Sequence, residues 1–393
     1  MRSSLVLRKR LIFAQAVMVT ATLAACGGSG SATSGNTVKI LVTAPLSSPA
    51  FSIPQVLSGA KAAAASINAS GGVEGKQIEI VSCNDQSNPN QASQCAQTAV
   101  AEQVSAVTGY FLFGPQIFDA TKAAGIPVLD SRPVSPTAGT SPNSFPMNAG
   151  NFSIYPGIAR RLVEKGNKNI VVVPVNNAAG NFNGKLAAQG VEAAGGTVVR
   201  TVNTPVGAPD YSPYVHQALE EGNTEAIIYV GTPEDFPKFV LAAKQAGFSG
   251  HIGATIGHVP PEIAKAIADS GITIFASSAY YLPPAPQAGL FASDMAKYEP
   301  ASSVDVFSAG TWAAVNAVAN ALKGKPATDS KSLMAALSSS SALDVGAIMP
   351  KVDFTKAGPV ADYPRLTNAD IVVVQVVNGS YETADAFFDP FVR

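Results

Sequence analysis

Short apolar strands and Ala-rich helical stretches alternate along most of this chain, and that alternation restricts the fold more than any other feature. VKILVT (38–43) is a buried-strand run, and residues 54–69 are Ala-rich and helical, closing at Gly71-Gly72. QIEIVS (77–82) alternates as a strand, 89–103 reads as helix, VSAVTG (104–109) as strand, 115–124 as helix and IPVLD (126–130) as strand. Strands separated by helices in this way form parallel sheets covered by helices. The pattern then restarts. Helices at 152–165, 181–194, 211–221, 233–246 and 260–269 alternate with strands NIVVVPV (169–175), TVVRTV (197–202), EAIIYVG (225–231), HIGAT (251–255) and ITIFASS (272–278). Two βα-rich halves of similar length predict two α/β lobes. The tail differs: helices near 287–298, 304–323 and 330–338 follow one another, and IVVVQVVNGSYE (371–382) reads as a β-ribbon turning at Asn378-Gly379.

The chain has 393 residues, 47% of them apolar and only 13% charged, which supplies large cores and excludes disorder. A net charge of −1 gives no basic surface for nucleic acid. The first 25 residues read as a secretory signal. Arg2, Arg8, Lys9 and Arg10 precede an apolar stretch from Leu11 to Ala25 that is too short to span a bilayer. It ends Leu23-Ala24-Ala25-Cys26-Gly27, similar to a bacterial lipobox, which implies lipidation of Cys26 as the new N-terminus. Residues 26–36 then form a Gly/Ser-rich flexible tether. An exported body held to the membrane by lipid is the expected arrangement. Cys83 and Cys95 are the remaining cysteines, and an even pair in an exported chain reads as a disulfide tying the first turn of a helix to a strand. A metal pair lacks nearby His or further Cys.

The order of elements resembles the type I periplasmic binding proteins, in the branch of the leucine/isoleucine/valine-binding proteins of ABC importers. The resemblance covers nearly all of 37–393. It is carried by INASGGVEGKQIEIVSCNDQSNPNQASQCA (67–96), AAGIPVLDS (123–131), PDYSPYVHQALEEGNTEAIIYVG (209–231) and ADIVVVQVVNGSYE (369–382). It implies two Rossmann-like lobes with parallel sheets, joined by three hinge crossings near 147–151, 276–280 and 343–350. The N-lobe would be 37–148 plus 279–343, and the C-lobe 149–276 plus 350–393. A small-molecule ligand would lie in the cleft between them, and an ABC permease would be the membrane partner.

In a parallel sheet the ligand site lies beyond the carboxyl ends of the strands. The loops there are 45–53, 110–114, 131–135 and 178–184, with Thr232 and Thr255 added from the C-lobe. The candidate ligand-binding residues are therefore Phe51, Ser52, Phe111, Phe113, Ser131, Arg132, Val134, Phe182, Thr232 and Thr255. Several depart from the amino-acid-binding relatives the sequence resembles. Phe111, Leu112 and Phe113 replace a small polar loop, and Arg132 and Val134 replace Ala and Thr. Thr255 replaces an acid that holds an ammonium group, and Thr232 and Phe182 each replace a Tyr. Phe111 and Phe113 form either an apolar wall of the pocket or a plug of the lobe core, and alternation assigns the plug to Leu112. Arg132 either holds a carboxylate or forms an ion pair with Asp130 or another acid of the lobe surface. Together these departures favour a ligand with an apolar or aromatic body and an anionic end.

Enzyme signatures are absent from the sequence. No G-x-S-x-G turn occurs, and His216, His251 and His258 lack the helical spacing of a zinc site. GNFNGKL (180–186) has three residues between its glycines and Leu186 where a phosphate loop needs Ser or Thr. No cofactor or metal is expected. The expected function is substrate binding for an ABC importer, with a ligand sensor of the same fold docking a membrane receptor as the alternative.

Overall fold

The computed structural model describes residues 37–49, 51–220, 222–382 and 386–392. The signal, the tether and Cys26 lie outside the described residues. The first lobe begins with β1 (Thr37–Ala44), α1 (Gln55–Ala69), β2 (Gln77–Asn84), α2 (Pro89–Ala101), β3 (Ala106–Gly109), α3 (Gly114–Ala123), β4 (Val128–Asp130) and α4 (Pro136–Thr140). The second comprises α5 (Asn151–Glu164), β5 (Asn169–Pro174), α6 (Ala178–Ala193), β6 (Thr197–Thr201), α7 (Ser212–Leu219), β7 (Ala226–Val230), α8 (Phe236–Gln245), β8 (His251–Thr255), α9 (Pro261–Ala266) and β9 (Thr273–Ser278). The chain then returns to the first lobe with α10 (Gly289–Tyr298), α11 (Val306–Leu322) and α12 (Ser330–Ser338), and ends in the second with β10 (Val372–Val377) and β11 (Ser380–Tyr381).

The N-lobe sheet is parallel, in the order β2-β1-β3-β4. Its last row across the strands is Thr43, Gly109 and Asp130. Gly109 has φ +147°, and a Cβ there would lie 1.8 Å from the Thr43 carbonyl oxygen, so only glycine closes β3 beside β1. The C-lobe sheet runs β11-β10-β9-β8-β7-β5-β6. Strands β6, β5, β7, β8 and β9 are parallel, while β10 and β11 are antiparallel additions. Asn378 and Gly379 both take positive φ, +47° and +77°, between paired Val377 and Ser380, as a two-residue hairpin requires. Helix α11 is apolar nearly all round because it is buried in the N-lobe. Its Trp312 Nε1 donates to Asp294 Oδ2 at 2.9 Å, and Gly59 of α1 packs against its first turn.

A disulfide joins Cys83 and Cys95, with Cα atoms 5.6 Å apart. Cys95 is in the second turn of α2, so the bond ties that turn to β2 rather than the first turn expected from sequence. The lobes meet where three passages run side by side. The first enters α5 at Gly150. Before it, Asn148 Nδ2 donates to the Ser131 carbonyl at 3.0 Å and to Tyr280 Oη at 2.7 Å. The second follows β9, where the Tyr280 hydroxyl donates to the same Ser131 carbonyl. The third lies later than 343–350. Leu343 still pairs with Val352, Phe354 packs on Phe145 at 5.3 Å, and the Arg365 guanidinium donates to the Ser144 carbonyl. The chain joins the C-lobe sheet only at Val372. The stretch between has no hydrophobic period, so only its tertiary contacts reveal where it runs. Among the described residues no helix is long and apolar enough to cross a membrane.

Candidate functional site

Past Gly109 the chain stays extended, and its side chains keep alternating between the two faces of the sheet. Val107 and Phe111 point to one face, packed with Cys95, Ile117 and Phe118 in the core under α2 and α3. Tyr110, one residue out of phase with both, falls on the opposite side. There its ring lies 6.3 Å from Phe51 and 5.8 Å from Phe307, while Phe51 and Phe307 are 6.4 Å apart. This edge-to-face trio gathers the loop after β1, the loop after β3 and the first turn of α11. The Asp305 side chain caps α11, accepting from the Phe307 and Ser308 N–H groups at 3.0 Å, and so fixes Phe307 at the cleft.

Arg132, just after β4, packs on the same ring, with its Cζ 5.8 Å from the Phe307 centroid. Its Nε and Nη2 donate to Asn151 Oδ1 at 3.3 and 3.2 Å, and Asn151 Nδ2 donates in turn to Asn183 Oδ1 at 3.2 Å. An N-lobe cation is thus held by the first residue of the C-lobe helix α5. Its backbone N–H, not its guanidinium, meets Asp130 Oδ1 at 3.0 Å, and it forms no ion pair among the described residues. Asp130 Oδ2 is buried without a partner. Burial pushes the Asp130 carboxyl up to about 7, against the opposing effect of the Arg132 N–H. On the C-lobe side, Gly257 leaves room for the guanidinium, since a Cβ there would lie 3.2 Å from Arg132 Nη1. His258 is buried and held neutral: burial first, then the Arg132 charge, lower it to about 3. Its Nε2 lies 3.0 Å from the Gly231 carbonyl oxygen.

A cavity of about 230 Å³ opens in front of this group, between the lobes. The N-lobe lines it with Phe51, Ser52, Gln55 and Phe307, and the C-lobe with Pro233, Glu234, Gly257, Glu262 and Tyr381. Phe307 and Gly257 form the wall behind which Arg132 lies. The lining combines the rings of Phe51, Phe307 and Tyr381 with the carboxyl groups of Glu234, Glu262 and Asp305, and the Arg132 cation packs on Phe307.

Of the residues read from sequence, the structure places Phe51 and Ser52 in the cavity lining and Arg132 immediately behind it. Phe111 is 1% exposed in the lobe core, against Phe118 at 5.9 Å, so it is the plug and no wall of this cavity. Leu112, expected as the plug, is 37% exposed. Continuing the strand's alternation from Val107 gives this assignment; the assignment to Leu112 is one residue out of phase. Phe113 and Val134 are half-buried and lie outside the lining. Ser131 is committed to the hinge, its hydroxyl donating to the Gly109 carbonyl at 2.5 Å. Phe182 packs on Phe152 at 5.6 Å and faces a separate groove of about 930 Å³ along α5 and α6. Thr232 Oγ1 accepts the Asp235 N–H at 3.3 Å, and its neighbours Pro233 and Glu234 reach the cavity instead. Thr255 is buried against His258 Nδ1, 3.4 Å from its Oγ1. Sequence reading missed Tyr110 and Phe307. Tyr110 was signalled by its phase in β3, and Phe307 by the Asp305 cap.

The architecture has close parallels among solved structures. The branched-chain amino acid transporter substrate binding protein LivJ of Streptococcus pneumoniae, in complex with isoleucine, is 22% identical with a TM-score of 0.73, over 90% of this chain and 100% of that one. The leucine binding protein LivK of Thermotoga maritima is 20% identical with a TM-score of 0.72, over 90% and 99%. An ABC transporter substrate-binding protein from Desulfitobacterium hafniense, in complex with Leu, is 19% identical with a TM-score of 0.70, over 90% and 100%. At these identities the likeness carries the fold. No curated protein matches the chain. Residues 37–380, nearly all of both lobes, match the family described as "Periplasmic binding protein", and the chain therefore belongs to that family of binding proteins.

Proposed function

We propose that this protein is the substrate-binding lipoprotein of an ABC importer, and that it captures a small molecule with an apolar or aromatic body and a carboxylate end. The likeness to LivJ and LivK supports the transport role and docking to a permease. The signal and lipobox at residues 1–26 support an extracytoplasmic place with a lipid anchor on Cys26. The observation that carries the ligand class is Arg132. It is a cation at the lobe junction that uses only part of its donor fork, on a neutral amide, and has no acid paired with it among the described residues. Three aromatic rings stand in front of it. Neutral His258 and Thr255 supply no counter-charge for an ammonium group; the acids of the cavity lining are Glu234, Glu262 and Asp305.

Mass spectrometry of the molecule that co-purifies with the protein identifies the ligand directly. Calorimetry against aromatic and aliphatic carboxylates, their amides and free amino acids tests the class. A charge-assisted contact contributes roughly 1.5–3 kcal/mol, so Arg132→Ala is expected to weaken carboxylate binding by about tenfold to a hundredfold. Phe307→Ala should act mainly on ligands with larger apolar bodies. If leucine-like amino acids bind best and Arg132→Ala leaves their affinity intact, the proposed class is wrong. Incorporation of labelled palmitate, lost in Cys26→Ser, tests the anchor.

A further inference from the structure

We infer that Tyr381 is a specificity-determining residue of this site: its ring closes the hinge-side end of the interlobe cavity and so limits the length of apolar body the site accepts. The inference rests on the apolar body in the reading above, and not on which charged group the ligand carries.

Two cavities stand back to back here. The first is the interlobe cavity of about 230 Å³. The second, of about 40 Å³, lies on its hinge side, between the passage that follows β9 and the β10–β11 hairpin. Ile256, Leu282 and Tyr381 line both, so their side chains form the wall between them. They come from separate segments: the loop after β8, the second passage and the C-terminal hairpin. Tyr381 is the bulkiest of them. It is held from two sides. Its backbone pairs with Val376 across the turn at Asn378-Gly379, and its hydroxyl donates to the Val259 carbonyl, in the same loop that supplies Ile256 to the wall. That bond occupies the hydroxyl, which leaves the apolar ring as the part of the side chain that a ligand meets.

The acids of the lining leave this end of the cavity apolar. Glu234 and Glu262 are exposed, and the Asp305 carboxylate is turned to the Phe307 and Ser308 N–H groups. Ile256, by contrast, is 4% exposed. Of the polar groups around the second cavity, the Ser278 hydroxyl donates to the Tyr280 carbonyl and Glu382 is exposed. An apolar body therefore comes to rest against Ile256, Leu282 and Tyr381, away from water. Each methylene buried there strengthens binding about fourfold. The gain stops where the chain meets the ring, because a packed wall takes no further methylene without strain. Removing the ring joins the smaller space to the larger one and adds the volume of the ring itself.

Calorimetry on the mature protein with two homologous series tests this: straight-chain carboxylates from butanoate to octanoate, and the 2-amino acids of the same lengths. In the wild type, affinity should rise about fourfold per methylene and then level off or fall at one chain length. Tyr381→Ala should carry the rise on by about two carbons, so that the ligands too long for the wild type bind at least about tenfold more tightly to the variant. Tyr381→Phe loses the bond to Val259 but keeps the ring, and should leave the limit where it is. Should Tyr381→Ala not fold, Tyr381→Leu removes less of the wall and should extend the limit by about one carbon. A limit that stays at the wild-type length in every folded variant lacking the ring, or a wild type without a limit, overturns the role of Tyr381. If the amino acids bind with this limit and the plain acids do not bind, the carboxylate class proposed above is wrong while the role of Tyr381 stands. Affinity that does not change with length, or no binding by either series at millimolar concentration, refutes the apolar body and the inference with it.

Discussion

Asp130→Asn separates the cost of one buried carboxyl from every other pH-dependent effect in the protein. The group is 1% exposed at the end of β4, its Oδ1 takes only the Arg132 backbone N–H, and its Oδ2 takes nothing. Burial raises the carboxyl from 3.8 to about 7. The sign follows from comparing the two states. Below about pH 4 folded and unfolded chains both hold the proton, and the group does not affect stability. Between about pH 4 and 7 the unfolded chain releases the proton while the folded chain keeps it, so stability falls as pH rises. Above about 7 the loss is complete, and a rise of about three units corresponds to about 4 kcal/mol. D130N cannot ionise and lacks this slope. It carries its own cost, because an amide N–H replaces an unpartnered oxygen, on the order of 1–3 kcal/mol at every pH. The variant is therefore expected to be less stable than wild type at pH 4.5 and to gain on it steadily up to about pH 7.5. Urea unfolding of both proteins from pH 4.5 to 8.5 at constant ionic strength measures this, since their difference cancels the titration of all other groups. A difference that stays flat across the range would refute the reasoning.

Three further outcomes follow from the packing. Replacing both cysteines, C83A/C95A, should lower stability by roughly 3 kcal/mol by the loop-entropy model, read from the urea midpoint. Thiol titration of the denatured, unreduced soluble domain should find neither Cys83 nor Cys95 free. Gly59→Ala would put a Cβ 2.0 Å from the Ser308 carbonyl oxygen, so α1 and α11 must separate, and a loss of about 1–3 kcal/mol is expected in the same assay.

The strand and helix order was legible in the sequence because each element's signal is local. Val-rich runs such as NIVVVPV became β5, the Asn378-Gly379 pair turned its hairpin, and even the crowded βα alternation of 169–278 kept its order. The position of Arg132, a cation directly after a strand, was legible too. Which aromatic of the loop after β3 would reach the cleft was decided by phase, a quantity fixed by the sheet rather than by the loop's own composition; Tyr110 and not Phe111 lies on the cleft side. Tertiary structure alone supplied the rest. Phe307 is about two hundred positions along the chain from Tyr110, and Asn151 belongs to the other lobe, yet Phe307 and Asn151 both meet Arg132 and Tyr110 packs on Phe307. The third passage, expected near 343–350, runs later, because residues 355–371 carry no period and are held by contacts such as Arg365 on Ser144. The sequence by itself determined the two lobes and their strands, since hydrophobic period and turn chemistry act over a few residues. The binding site was decided only when the lobes faced each other, since it is built from side chains whose proximity depends on how distant segments pack.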